Sequence, residues 1–389
     1  MRELAKAYLQ ASAGIELVCL DNPDEPFLKG IPCPVHALGQ SYMGSYAFSP
    51  RLWRWLHENS GRFDCIVMHG IWTFAGVAVR FAARRAGRLY GVFVHGALDP
   101  WFDRKYPLKY LKKMLYWPVQ YAVLRDARAV LFTAKSERDL ARVSFRPNKW
   151  NSVVVPFGIN DPEESWGDPA GQIETFYRRF PELRGRRYLL FLARIHPKKG
   201  CDLLLNAFRQ VANSVPDVDL VIAGPDQMGT QAKLQRMAEQ FGIAGRVHWP
   251  GFIDGDLKWG ALRACDAFVL SSHSENFGIA VVEALAVGRP VLISNRVNIW
   301  SEIQDDKAGL VEDDTLEGTE RLLRRWFDLP PAEQGAMGSR ARRSFLGRYT
   351  MSQTVMALDQ LFSSRASTDE QGRGRDKVSN DAHRFISPT

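Results

Sequence analysis

Ser274-Glu275-Asn276-Phe277-Gly278-Ile279-Ala280-Val281-Val282-Glu283-Ala284 decides how this chain reads. The residues just before it, 267–270, are Ala-Phe-Val-Leu, a short continuous apolar run of the kind a doubly covered strand shows. The quoted stretch then opens a helix. Glu275 stands before that helix and Glu283 within it. At such a start the backbone N–H groups of residues 277–280 lack intrahelical acceptors, and with the helix dipole they form an anion site. A carboxylate on each side can bind sugar or ribose hydroxyls. Either glutamate alone would equally suit an N-cap with a solvated acid. The whole run after a strand favours a ligand site.

A second stretch has the same placement, after one strand and before one helix: Leu192-Ala193-Arg194-Ile195-His196-Pro197-Lys198-Lys199-Gly200. Basic groups at the carboxyl end of a strand face the ligand crevice of an open α/β sheet. Arg194 can grip a phosphate through two donors, and Lys199 can add a point charge. A solvated basic turn is the plainer alternative. A third stretch, Phe93-Val94-His95-Gly96-Ala97-Leu98-Asp99-Pro100-Trp101, ends a strand in the first half of the chain. His95 there could touch a reacting sugar or its acceptor, or could be structural. Asp99 before a proline suits a turn.

Outward from these stretches, short apolar runs alternate with amphipathic helices. Residues 15–20, 64–68, 89–94, 129–132 and 152–155 read as strands, with helices over 50–58, 74–86 and 108–125. The signal pauses over 155–171, which reads as a linker between domains. It restarts with strands at 188–193, 218–223, 246–249, 267–270 and 290–293. Helices lie between them at 202–213, 230–241, 256–264 and 278–287. Strands alternating with helices predict parallel, doubly wound sheets, one in each half. Residues 351–362 read as an amphipathic helix. The polar stretch from about 363 to 389 has no apolar periodicity and reads as a disordered tail.

The chain has 389 residues, more than one core usually holds, so two domains are expected. Hydrophobic residues are 46% and charged residues 24%, an ordinary soluble composition. The formal net charge of +8 favours acidic partners such as phosphates, nucleic acid or an anionic membrane face. The five cysteines are odd in number, with none at a CxxC spacing, which argues against a disulfide framework or a zinc site and fits a reducing compartment. No apolar run approaches the roughly 20 residues of a membrane span, and the opening residues do not read as a signal peptide. Residues 101–125 combine Lys105, Lys109, Lys112 and Lys113 with Trp101, Phe102, Tyr106, Tyr110, Tyr116 and Trp117. That mixture suits an anionic membrane interface, or equally a core helix with a wet basic edge. No nucleic-acid signature accompanies the charge, so nucleic acid is not expected as a partner.

At these motifs the sequence resembles glycosyltransferase family 4, a retaining family of GT-B fold, over nearly all of its length to about residue 362. The landmarks are Arg194 with Lys199-Gly200, Ala223-Gly224-Pro225-Asp226, Val247 with Gly251, Ser274 to Glu283, and Gly288-Arg289-Pro290-Val291. The resemblance implies an α/β protein of two Rossmann-like domains facing a cleft: an acceptor domain over 1–158 and a nucleotide-sugar donor domain over 159–348. A helix at 349–362 would cross back to the first domain, ahead of the tail at 363–389. Carried over, Arg194, Lys199 and Gly200 bind the donor diphosphate. Glu275 and the amides of Asn276, Phe277, Gly278 and Ile279 hold sugar and phosphate. Glu283 holds the ribose, and His95 matches the active-site histidine near the transferred sugar. His95 and Glu275 are thus the expected catalytic groups.

The implied reaction moves a sugar from a nucleotide-diphosphate sugar to a glycan or lipid-linked acceptor with retention. Its setting would be polysaccharide or lipopolysaccharide biosynthesis, on the cytoplasmic side and peripheral to the inner face of the membrane. No cofactor and no metal are expected, since cations and helix-end amides can take up the leaving charge and no Asp-x-Asp pair stands at a suitable place. One departure stands out. Family members open with a buried strand and a Gly-rich loop, whereas Met1-Arg2-Glu3-Leu4-Ala5 reads as already inside the first helix. The missing strand would be central in its sheet. Either coding begins further upstream, or the chain is a truncated, inactive nucleotide-sugar-binding form. A GT-B sugar epimerase is a further alternative, against which the Glu-x7-Glu run with Asn276-Phe277-Gly278 speaks.

Overall fold

A computed structural model describes residues 1–11, 13–100, 107–165, 167–363 and 384–388. The chain divides into two compact units. Met1–Gly158 together with Met351–Thr389 make the first, and Ile159–Thr350 the second.

The first unit is built on β1 (Gly14–Cys19), β2 (Val35–Ala37), β3 (Cys65–His69), β4 (Leu89–Phe93), β5 (Ala129–Phe132) and β6 (Ser152–Val154). Apolar runs such as Cys65-Ile66-Val67-Met68 become strands buried on both faces because helices cover both sides. On one face Ile66, Met68, Val92 and Val130 pack with Leu52, Leu56, Val79 and Trp117 from helices Pro50–Asn59, Phe74–Ala86 and Pro107–Asp126. On the other, Val67, Phe93 and Leu131 pack with Leu4 and Tyr8 of helix Arg2–Gln10 and with Met351, Val355 and Leu358 of helix Met351–Ser363. The final helix sits close: a Cβ at Gly91 of β4 would lie 2.9 Å from the Phe362 ring. This helix matches the expected one at 351–362 to within a residue.

Two expectations for this unit are corrected. The polar tail was expected to be disordered from 363 onward, but Ser363 closes the helix and Arg384–Pro388 forms a strand, β13. Residues 364–383 and 389 lie outside the described residues. The first sheet was also expected to lack a central strand. Instead β13 lies parallel between β1 and β3, with Ile386 opposite Glu16 on one side and Ile66 on the other. The sheet runs β2-β1-β13-β3-β4-β5-β6 without a break. Composition hid this strand because five residues are too few to outweigh the polar stretch before them.

The second unit is built on β7 (Arg187–Leu192), β8 (Val218–Ala223), β9 (Val247–Gly251), β10 (Ala267–Leu270), β11 (Val291–Ser294) and β12 (Gly309–Glu312). Their order is β12-β11-β10-β7-β8-β9, all parallel, so the winding reverses between β7 and β10. The expected linker at 155–171 is in part helical: Pro162–Ser165 and the start of Pro169–Arg179 belong to this unit. The latter packs so tightly on helix Gly255–Ala264 that a Cβ at Gly260 would meet the Gln172 carbonyl oxygen at 2.2 Å. Strands β2 and β12, of three and four residues, had no recognised signal. Both units are Rossmann-like, the composition of the GT-B fold.

Candidate functional site

The residues singled out from sequence fall into two groups, one in each unit. In the second unit, β7 and β10 are hydrogen-bonded neighbours, so the turn after β7 and the loop after β10 leave the same sheet edge side by side. This is the reversal point where open α/β sheets bind ligands. The two segments are joined by hydrogen bonds. His273 N–H donates to the Lys198 carbonyl at 2.8 Å. Ser271 Oγ donates to the Gly200 carbonyl at 2.8 Å, and Ser272 Oγ to the Lys198 carbonyl at 3.0 Å. Gly200 has φ +68° and begins helix Cys201–Val211; a Cβ there would lie 2.0 Å from the Ser271 carbonyl oxygen. Only glycine permits both that backbone and that approach.

The joined turns bring Lys199 and Glu275 together. Lys199 is 9% exposed, and its Nζ donates to Glu275 Oε2. Glu275 is fixed through its backbone too, its N–H donating to the Arg296 carbonyl and its carbonyl accepting from Asn298 N–H. Asn298 Nδ2 reaches Asn276 Oδ1 at 3.5 Å. Phe277 is buried against Tyr349 in an edge-on contact, ring centroids 5.9 Å apart. Gly278, at φ +76°, starts helix Ile279–Ala286. The N–H groups of Ile279 and Ala280 have no side-chain cap and no acceptor among the described residues. Glu283, one face further along, accepts from Lys258 Nζ at 2.7 Å. Arg194 is exposed and has no carboxylate partner among the described residues. A paired lysine, an arginine without a carboxylate partner among the described residues and open helix-end amides at one sheet edge have the chemistry to receive an anion.

Other expected landmarks prove architectural. Gly224 has φ +146°, and a Cβ would meet the Ala193 carbonyl oxygen at 1.9 Å. The Asp226 carboxylate caps the next helix, accepting from Gln231, Thr230 and Met228 N–H; those bonds, led by that of Gln231, hold its pKa down. Sequence reasoning missed the hydroxyls of Ser271 and Ser272 and the His273–Asp314–Arg296 cluster. Although burial alone would raise the Asp314 pKa, bonds from His273 Nδ1 and Arg296 Nε, each at 3.0 Å, hold it below the ordinary value.

In the first unit, His95 follows β4 with φ +48°, a left-handed conformation uncommon for a residue with a Cβ. The turn is held by buried Glu137, whose Oε1 accepts from Gly96 N–H at 2.6 Å while Oε2 accepts from Thr133 N–H and Oγ1 at 2.6 and 2.7 Å. Next to it, at the end of β3, lies His69. Its Nδ1 and His95 Nε2 are 2.9 Å apart. Phe157 closes over both imidazoles edge-on at 6.1 Å. Burial pushes both pKa values down, His69 well below its ordinary value and His95 to about 4, with the Met1 ammonium adding to each and the His95 charge also to His69. Both rings are therefore neutral at physiological pH. His69-Gly70 ends one strand as His95-Gly96 ends its neighbour, a likeness that carries meaning only once the pairing of β3 with β4 is known.

The basic aromatic helix falls partly outside the described residues, which exclude Trp101, Phe102, Lys105 and Tyr106 and the side chain of Lys109. Over Pro107–Asp126 the sequence leaves two readings open, aromatics at a membrane face or aromatics in a core, and Tyr110 and Trp117 follow the second. Trp117 is buried, Tyr110 is half-buried, and both stack on Phe145. Lys113 lies over the rings of Trp72 and Phe145. What faces outward is mainly aliphatic: Leu108 is 81% exposed, Leu111 60% and Leu115 82%, with Met114 and Val119 beside them and Tyr116 the one exposed aromatic among the described side chains of this helix. No helix among the described residues is long and apolar enough to cross a membrane.

Comparisons with known proteins agree across both units. Residues 173–344 match the family model described as glycosyl transferases group 1, and residues 1–158 match the glycosyl transferase 4-like domain. Over 217 residues the chain is 26% identical to an uncharacterised glycosyltransferase of Methanocaldococcus jannaschii, 54% of either chain. Over 166 residues it is 31% identical to a D-inositol 3-phosphate glycosyltransferase of Streptomyces scabiei, 40% of this chain and 37% of that one. The chain thus spans about half the length, or less, of the curated relatives it matches. Among solved structures, Anabaena HepE in complex with UDP and glucose superposes with TM-score 0.70 at 17% identity, covering 90% of this chain and 99% of that one. WaaG, a glycosyltransferase involved in lipopolysaccharide biosynthesis, superposes at 0.64 and 16%, covering 92% and 94%.

Proposed function

The chain belongs to the group 1 glycosyl transferases, and from that premise we propose that it moves a sugar, with retention, from a nucleotide-diphosphate sugar to a glycan or lipid-linked acceptor. The observation that carries this is the anion site after β7 and β10: Lys199 against Glu275, Arg194 without an acidic partner, and the open amides of Ile279 and Ala280. In the reaction the bond from the anomeric carbon to the diphosphate breaks and its electron pair leaves with the phosphate oxygen. The acceptor hydroxyl oxygen bonds to that carbon on the same face, and its proton passes to the departing phosphate. Arg194, Lys199 and the amides are already in place where that negative charge develops, so they stabilise it without having to reorganise. Glu275 holds the sugar through the oxygen that Lys199 leaves free, Glu283 holds the ribose, and His95 contacts the transferred sugar. Because cations of the chain itself do this work, activity should survive a chelator. Loss in EDTA with recovery in magnesium or manganese would overturn that point.

Polysaccharide or lipopolysaccharide synthesis on the cytoplasmic side is the setting this reading favours. A lipid-linked acceptor is reached from a membrane surface, and the exposed Leu108, Leu111 and Leu115 beside Lys112 offer apolar burial with positive charge on one helix. The direct test is a thermal-shift screen of purified protein against nucleotide sugars, beginning with uridine donors because UDP-bound HepE shares the fold. A stabilising shift that disappears in Arg194→Ala, followed by sugar release or transfer, is the expected result. Binding with no turnover on any acceptor would favour an inactive binding protein, and no binding at all would refute the donor site.

A further inference from the structure

His69 and His95 share one short contact, and where its proton sits decides what His95 can do. The two rings meet edge to edge. Their planes are 16° apart and their centroids 5.1 Å, as a nearly coplanar bond through Nδ1 and Nε2 requires. Both rings are neutral, so exactly one of the two facing nitrogens carries hydrogen and the other accepts. His69 Nε2 is buried and without a partner among the described residues. If His95 Nε2 were the donor, the proton of His69 would sit on that Nε2, a buried N–H with no acceptor, which folded proteins avoid more strictly than a buried bare acceptor. If His69 Nδ1–H is the donor, only a lone pair is left buried.

From this geometry we infer that His69 is a positioning residue that donates Nδ1–H to His95 Nε2 and so locks His95 in its Nδ1–H form. The lock has a chemical consequence. With Nε2 occupied, Nδ1 is the one ring nitrogen of His95 left for a ligand, and among the described residues it takes no protein partner. His95 therefore offers a hydrogen-bond donor, not a basic lone pair. It can hold a sugar hydroxyl or ring-substituent oxygen, but it is not set up to take the acceptor's proton. Neighbouring groups back the pair, while His95 itself stays exposed. The Phe93 ring lies parallel to both imidazoles, at 5.1 and 5.4 Å, and Gly70 N–H donates to the Phe93 carbonyl at 2.7 Å, tying the ends of β3 and β4 together.

This inference deepens the transferase reading and rests on it only for the role of the sugar. Nitrogen-15 spectra of the histidine rings in the full chain test it without any donor. Near pH 7.5 the His95 signals should show a protonated Nδ1 and a bare Nε2. In His69→Phe, which removes the donor and keeps an aromatic ring, His95 should shift toward the Nε2–H form. In His69→Asn, whose amide nitrogen stands close to the place of Nδ1, the Nδ1–H form should return. If the transferase reading holds, kcat should fall roughly tenfold or more in His69→Phe with KM little changed, and recover in His69→Asn, as expected when a wrong tautomer is the fault. A protonated Nε2 on His95 in the unmodified protein overturns the lock. A confirmed tautomer without transferase activity would refute the enzymatic reading and leave the lock standing.

Discussion

At the scale of single residues, the proposed donor half-site depends on side chains that two loops carry to one sheet edge. Arg194→Ala and Lys199→Ala should each remove about 2–4 kcal/mol of transition-state stabilisation, seen as a fall in kcat/KM with the melting temperature nearly kept for Arg194→Ala. Activity within a few-fold of the unmodified chain in both variants would refute the diphosphate role. Gly200→Ala should behave differently. Its new Cβ meets the Ser271 carbonyl, and its φ of +68° strains any residue with a side chain. We expect a loss of about 3 kcal/mol or more in stability, read by chemical denaturation, with donor binding lost along with it. Arg194, Lys199 and Glu275 could be named as candidates from sequence because each stands at a strand end or just before a helix that apolar periodicity marks, and Glu283 because it follows within that same helix. His69 was not, since a histidine closing a strand is informative only once its neighbour in the sheet is known.

At the scale of elements, two predictions concern segments that composition described poorly. Ile386→Pro should destabilise the first unit. Position 386 lies inside the ladder with Glu16 and Ile66, and proline removes an N–H from a strand paired on both sides. Each carbonyl left unpaired costs about 1–3 kcal/mol. Faster hydrogen exchange in β1 and β3, with β7 and β8 unchanged, is the expected signature; unchanged exchange in both would mean that β13 does not complete the sheet. For helix Pro107–Asp126, Leu111→Asp with Leu115→Asp should abolish co-sedimentation with anionic liposomes, while binding by the unmodified chain should weaken as salt rises. Equal or absent binding to anionic and neutral vesicles at low salt would sink the membrane role. Most regular elements could be read in advance because buried parallel strands are written as unbroken apolar runs. The short β2 and β12 give too few residues for any period, and the aromatic side of the basic helix could not be assigned inward or outward without the sheet it packs on.

Across the whole molecule, acid should act on the two units unequally. The folded-state pKa values of His69 and His95 lie below their ordinary values, so the unfolded chain binds more protons in the interval between. The stability this contributes is intact above about pH 6.5 and declines as the pH falls toward about 4. Both histidines are in the first unit. In the second, Asp219 and Asp314 have lowered pKa values, and the stability they add is lost only below the ordinary carboxylate value of 3.8. Between about pH 6.5 and 4 the first unit should therefore lose stability faster, visible in calorimetry as an early transition moving away from a later one. A single transition moving as one over that interval would contradict it.

The discontinuity of the first unit also sets a timetable for synthesis. Its first 158 residues leave the ribosome early, yet the strand that lies between β1 and β3 comes only at 384–388, after all of the second unit. At roughly 5–20 residues per second, those strands wait on the order of tens of seconds with facing edges unpaired. Open edges invite other chains, so nascent protein should be most vulnerable to aggregation, and most dependent on a chaperone, while the second unit is already folding.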